Sequence, residues 1–155
     1  MAVKAIPDGY HSLTPYLVCK GAAKAIEFYV KVFGAEETVR MPGPDGAIMH
    51  AEVKIGNSML MLADENRERG HLSPESLGGS PCSIMFYADD VDAVFKGAVA
   101  AGAKTETPPT DMFWGDRMGN LVDPFGHKWA IATHKEDVSP EEMERRMAAG
   151  GAGGS

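Results

Sequence analysis

The chain has 155 residues, 44% of them hydrophobic and 24% charged, the bounds of one globular domain or of two small modules sharing a core. Its formal net charge of −7 opposes a nucleic-acid backbone as partner, and no apolar run is long enough to span a bilayer. The opening MAVKAIPDGY lacks the apolar core of a signal peptide, so a cytoplasmic location is expected.

In chain order, SLTPYLVCKGAAKAIEFYVKVFGA reads as a short strand, an amphipathic helix and a glycine stop. Ala22, Ile26, Tyr29, Val30 and Phe33 form its apolar stripe, and Gly34 suits the helix C-terminus. Three strand-like stretches follow: EETVRMPGPDG, AIMHAEVKIGN and SMLMLADE, punctuated by Pro44-Asp45-Gly46 and Gly56-Asn57. The polar stretch DENRERGHLSPESLGGSP, residues 64–81, reads as a linker, with His71 solvated inside it. The grammar then repeats. PCSIMFYADDVDAVFKGAVAAGA gives a strand and a helix with Val91, Val94, Phe95, Ala98 and Val99 as the stripe, Asp89 or Asp90 as cap and Gly102 as stop. KTETPPTDMFWGD, RMGNLVDPFG and HKWAIATH supply three more strands. The chain is thus β-α-β-β-β written twice, residues 10–63 and 82–134, at a shift of about 70 residues. In residues 135–148, Ser139 with Glu142 forms a capping-box pattern and Pro140 suits a first helical position, so a short helix is expected over 140–147. Residues 149–155 read as a flexible tail.

Cys19 and Cys82 stand in no C-x-x-C or zinc-type spacing and read as reduced, mostly buried thiols. No serine–histidine–aspartate grouping, G-x-G-x-x-G or Walker pattern stands out.

The tandem βαβββ pattern, the helix text AIEFYVKVFGA and the closing DPFGHKWAIATH resemble the vicinal oxygen chelate superfamily. That group contains glyoxalase I, bleomycin-resistance proteins, fosfomycin-resistance enzymes and extradiol dioxygenases. HAEVKIGNSMLMLADE and WGDRMGNLVDPFGHKWAIATHKEDVSPEEM look most like its PhnB-type, glyoxalase-like members. The resemblance implies an α+β fold whose two modules curl into an open cup, and a homodimer. In metal-dependent members, four strand positions point at a divalent ion in the cup. Alignment places them at Thr14, Met61, Ser83 and Ala130, each position of one module 69 residues from its counterpart. A catalytic divalent site on this fold needs imidazole and carboxylate ligands, which these residues do not supply. No metal cofactor is therefore expected, and mechanisms resting on a Lewis-acid or redox metal are disfavoured.

Strand alternation fills in the rest of the expected cup. Met59, Ala63, Lys128 and Ala132 share the inward face with Met61 and Ala130, and Tyr16, Val18, Met85 and Tyr87 share it with Thr14 and Ser83. Leu60, Leu62, Trp129 and Ile131 then lie beneath the helices. A methionine- and tyrosine-rich wall suits an amphipathic or aromatic ligand.

Several polar residues have two readings. His50 and Glu52 share one strand face and are either an acid–base or metal-binding pair or a polar edge; their strand's inner face stays open. Trp114 stacks on a planar ligand and Arg117 grips its anionic group with Asp116 orienting the fork, or the three pin a corner. Asp123-Pro124-Phe125-Gly126 reads as a structural turn, with His127 outside the cup and His134 near its rim. Two function classes result. One is a metal-free small-molecule binder of the bleomycin-resistance type. The other is an enzyme, with a divalent metal relocated to His50 and Glu52 or metal-free acid–base chemistry near Lys128 and His134.

Overall fold

The computed structural model describes residues 2–150; the remainder of the glycine-rich tail lies outside the described residues. The chain divides between Ser80 and Pro81 into two compact units, each with its own four-stranded sheet.

In the first unit, β1 (Tyr16–Cys19) leads to α1 (Ala22–Phe33), then β2 (Glu36–Pro42), β3 (Ile48–Ile55) and β4 (Ser58–Asp64). The sheet order is β1-β4-β3-β2, with β1 parallel to β4 and the other pairs antiparallel. Alternation sets the helix-facing side of β1, β3 and β4, whereas β2 is exposed along its length. Leu17, Cys19, Ala51, Val53, Leu60 and Leu62 are buried beneath α1, whose Ala22, Ala25, Ile26, Phe28, Tyr29 and Phe33 are buried in turn. Val30 is 44% exposed and does not join the expected stripe. It stands one residue past Tyr29, about 100° around the helix, and Phe28 is buried instead. Gly34 ends α1 in the left-handed region at φ 66°, and the Ala35 N–H donates to the Tyr29 carbonyl.

The segment expected as a linker is built structure. Asn66 and His71 pair as an isolated bridge, and α2 (Pro74–Leu77) follows. The fully buried Ser73 caps α2 and gives both its N–H and its hydroxyl to Glu65, each at 2.8 Å. Hydrogen bonds from Ser76 and Ser73 pull the Glu65 carboxyl down to about 2.

The second unit repeats the plan with β5 (Ser83–Tyr87), α3 (Val91–Ala100), β6 (Lys104–Asp111), β7 (Asp116–Val122) and β8 (Lys128–His134), in the order β5-β8-β7-β6. Asp90 is the cap of α3, its side chain accepting from the Ala93 N–H at 3.1 Å. Val91, Phe95 and Ala98 are buried, whereas Val99 is 42% exposed and falls off the expected stripe. Leu121, Trp129 and Ile131 are buried with them. α4 (Pro140–Ala148) follows, with the Ser139 hydroxyl accepting from the Glu142 N–H as the capping pattern requires.

The register proves the duplication. Tyr16 pairs with Met61 in the first sheet and Met85 with Ala130 in the second, each 69 residues on. Of the cysteines, Cys19 is buried, but Cys82 is exposed just before β5, against the expectation of two mostly buried thiols. Among the described residues no helix is long and apolar enough to cross a membrane.

Candidate functional site

The face of each sheet turned away from its helix holds the chemistry. In the first unit, register aligns Tyr16, Met61, Glu52 and Val39 in one row across all four strands. This settles the face of β3: Glu52, and His50 two residues before it, stand on the face of Tyr16 and Met61. Met41 lies across from His50 on β2. Tyr16 is 50% exposed, whereas Met59, on the same face, is buried. Thr14 precedes β1 and does not extend it; the Pro15 carbonyl next to it accepts from the Met61 N–H at 2.9 Å.

The polar groups of this face form one chain. The Tyr10 hydroxyl donates to Glu52 Oε2, His50 Nε2 lies 2.9 Å from Glu52 Oε1, and the Tyr16 hydroxyl lies 2.9 Å from His50 Nδ1. A carboxylate only accepts, so Nε2 carries the proton toward Glu52 when the imidazole is neutral. Nδ1 is then the acceptor for the Tyr16 O–H. The side chains of His50 and Glu52 are 24% and 12% exposed. Tyr16 also lines a cavity of about 380 Å³ with Ile48, Met49, Ala63, Asn66 and Arg69.

In the second unit, Ser83, Met85 and Tyr87 on β5 stand beside Lys128, Ala130 and Ala132 on β8, on the face away from Trp129 and Ile131. Met85 and Tyr87 are 43% and 57% exposed. Lys128 Nζ lies 3.5 Å from Glu106. At one end of this face Asp116 is buried at the centre of a cluster. The Tyr87 hydroxyl donates to it at 3.0 Å and the Trp114 indole N–H at 3.1 Å, while His134 Nδ1 lies 2.7 Å away. His134 Nε2 is 2.8 Å from Asp137. Burial raises the Asp116 carboxyl, but the hydrogen bonds from His134, Tyr87 and Trp114 outweigh it and leave the group below its usual range. Hydrogen bonds to Asp116 and Asp137 raise His134. The bond to Asp116, helped by burial, raises Tyr87.

Arg117 is not set up as the expected anion clamp with Asp116. Its guanidinium is bidentate to Asp92, at 2.7 and 2.9 Å, and reaches Asp111 at 3.2 Å. Asp116 orients His134, Tyr87 and Trp114 instead. The fork of Arg117 is filled by carboxylates of its own unit, because adjacent strand residues point to opposite faces. Both residues line a groove of about 810 Å³ with Asp92, Asp111, Lys135 and Arg146.

The Asp123 turn is structural. Its Oδ1 accepts from the N–H groups of Phe125 and His127, each at 2.9 Å, and its Oδ2 from the Trp129 indole at 2.9 Å. His127 is buried.

The donor set does not fit the divalent ion of metal-dependent relatives. Thr14, Met61, Ser83 and Ala130 lack the ligands. His50 and Glu52 are engaged with each other and with Tyr16 and Tyr10. Among the described residues no three histidine, cysteine, aspartate or glutamate side chains gather as a metal-binding group.

The profile of the Glyoxalase/Bleomycin resistance protein/Dioxygenase superfamily matches residues 10–131. The chain belongs to that family. It is 42% identical over 145 residues to the uncharacterized protein Rv0887c of Mycobacterium tuberculosis, covering 92% of this chain and 85% of that one. It is 27% identical over 150 residues to the protein YjdN of Escherichia coli, covering 80% and 96%. Among solved structures, TioX from Micromonospora sp. ML1 is similar at TM-score 0.64 and 26% identity, over 80% of this chain and 98% of that one. The PhnB protein from Bacillus cereus shares the fold at TM-score 0.63 and 19% identity, over 79% and 99%.

Proposed function

We propose that this chain is a cytoplasmic, homodimeric small-molecule-binding member of its superfamily. It holds an amphipathic or aromatic ligand on the uncovered sheet faces without a metal ion and sequesters it as bleomycin-resistance proteins do. The observation that carries this reading is the composition of those faces. Tyr16, Met41, Met61, Met85 and Tyr87 occupy them, and four of these are at least 40% exposed or line a cavity. Polarisable thioethers and hydroxylated rings accept flat apolar bodies and still offer hydrogen bonds. The proposed ligand-binding set is Thr14, Tyr16, Met59, Met61, Ser83, Met85, Tyr87, Trp114 and Lys128, with Arg117 joining it from the other face of β7 by bracing the rim through Asp92.

The test is thermal-shift screening of chelator-treated protein against planar amphipathic compounds. The expected outcome is a hit that stabilises the protein equally with and without chelator and loses its effect in Met85→Ala or Tyr87→Ala. Near-stoichiometric Zn, Ni, Mn or Fe retained on dialysis, lost in His50→Ala and required for the ligand shift, would overturn the reading.

One observation favours an enzyme as second reading: His50 and Glu52 share the uncovered face with Tyr16 in a continuous hydrogen-bonded chain. With both imidazole nitrogens already engaged, that chain supports proton transfer better than a relocated metal.

A further inference from the structure

The duplicated fold offers an internal control. Register equates Tyr16 with Met85, Glu52 with Asn120 and His50 with Met118, since Met61 and Ala130 are counterparts. The second sheet therefore builds the same surface from two methionines and an asparagine. A tyrosine–histidine–glutamate chain is no requirement of this architecture, and its partners come from β1, β3 and the N-terminal segment. Only the first unit carries it, beside a cavity that Tyr16 lines.

We infer that Tyr16, His50 and Glu52 form a phenol–imidazole–carboxylate triad for acyl transfer from small carboxylic esters, with Tyr16 as the catalytic nucleophile. The connectivity is that of a hydroxyl activated by a base that a carboxylate orients. Tyr16 Oη bonds to the ester carbonyl carbon while its proton passes to His50 Nδ1. Glu52 positions the imidazole and holds the resulting imidazolium through Nε2–H. The bond from the carbonyl carbon to the departing oxygen breaks, and that oxygen takes the Nδ1 proton and leaves as an alcohol or phenol. Water then adds to the carbonyl carbon, giving one proton to Nδ1. The bond from that carbon to Tyr16 Oη breaks, the phenol regains its proton from Nδ1, and the acid departs. Nothing is oxidised or reduced, and water is the sole co-reactant. The cavity of about 380 Å³ limits the ester to a small one, with Ile48, Met49 and Ala63 for its apolar part, and the Asp64 and Glu65 carboxylates that line it beside Arg69 favour an uncharged one.

The inference rests on the enzyme reading and shares Tyr16 with the binding set; its test needs no natural ligand, and its failure would leave the ligand shift that depends on Met85 and Tyr87 untouched. The intact chain is treated with p-nitrophenyl acetate, and acetylation of each tyrosine is followed by peptide mass spectrometry. Tyr87 is the internal reference, since it is 57% exposed against 50% for Tyr16 and hydrogen-bonds a carboxylate directly. Tyr16 should be acetylated about 100-fold faster than Tyr87, the lower range of what a positioned base contributes. His50→Gln should bring Tyr16 to the Tyr87 rate, and Tyr16→Phe should remove the fast phase of p-nitrophenolate release in a chain whose circular dichroism is unchanged. Labelling of Tyr16 no faster than Tyr87, or a Tyr16 rate unaltered by His50→Gln, would overturn the triad. The wild-type ratio decides even where a variant fails to fold.

Discussion

A single buried carboxylate sets the pH response of the second unit. Asp116 is 4% exposed and meets three donors, so Asp116→Asn should cost about 2–3 kcal/mol in chemical denaturation, the range for hydrogen bonds to a charged group. Its folded pKa is lowered, so its contribution is present above the unfolded value of 3.8 and is lost as pH falls through the folded one. His134 has the opposite sign. Its folded pKa is raised above 6.5, so its contribution is full below 6.5 and disappears as pH rises through the folded value. The melting temperature should therefore decline as pH rises from 6.5 through the folded value of His134, and His134→Gln should flatten that alkaline limb while leaving the acid limb in place. A melting profile whose alkaline limb survives His134→Gln would refute the assignment. None of this was legible in the sequence beyond the presence of the residues. Trp114, Asp116 and His134 stood in one quoted stretch, but Tyr87 comes from a strand 29 residues earlier. The chief partner of Arg117 was hidden for the same reason, since Asp92 sits at the start of α3.

At the scale of elements, α3 fits its sheet because one strand position has no side chain. A Cβ on Gly119 would stand 2.8 Å from Phe95 Cε2, 2.9 Å from the Pro109 nitrogen and 3.0 Å from the Thr107 carbonyl oxygen. The ring could rotate; the two backbone atoms of β6 cannot. Gly119→Ala should thus destabilise by about 1–3 kcal/mol, as overpacked cores do. Phe95→Leu should fail to rescue it. A denaturation midpoint for Gly119→Ala equal to wild type would show that β6 yields freely. The elements themselves were readable, because apolar residues recur at helical spacing in α1 and α3, alternate with polar ones over residues 51–55 of β3, and form short apolar runs bounded by turn residues in β4 and β8. The stripe edges were less so, as Val30 and Val99 show: an apolar residue one step beyond the stripe satisfies the spacing rule and still faces solvent. The built structure of residues 64–81 was hidden by composition. Ser, Gly and Pro signal a loop, yet here Ser73 and Glu65 close a buried hydrogen-bonded corner.

Over the whole chain, the two modules share one pairing register and differ in what that register displays. Shared register was legible because helix stripes and turn residues recur at a fixed offset. The difference was legible as residue identity, but its geometry was not, because a strand's alternation does not say which of its two faces the neighbouring helix covers. Only the pairing of Glu52 with Met61 decides that for β3. The comparison yields a test of whether the Tyr16–His50–Glu52 chain serves chemistry or stability. Replacing the three residues by their counterparts, as Tyr16→Met, His50→Met and Glu52→Asn, installs side chains that this fold already carries at the same register. If the chain is functional, the triple variant should stay within about 1.5 kcal/mol of wild type in urea denaturation, because removing all partners of a part-buried polar chain together leaves little unsatisfied. The double variant His50→Met with Glu52→Asn, which keeps Tyr16, should lose the rapid acetylation of that residue. A loss of more than about 3 kcal/mol, the size seen when a buried charge pair is broken, would assign the chain to the scaffold. The two readouts separate because a nucleophile does its work in the transition state, whereas a structural hydrogen bond does its work in the resting fold.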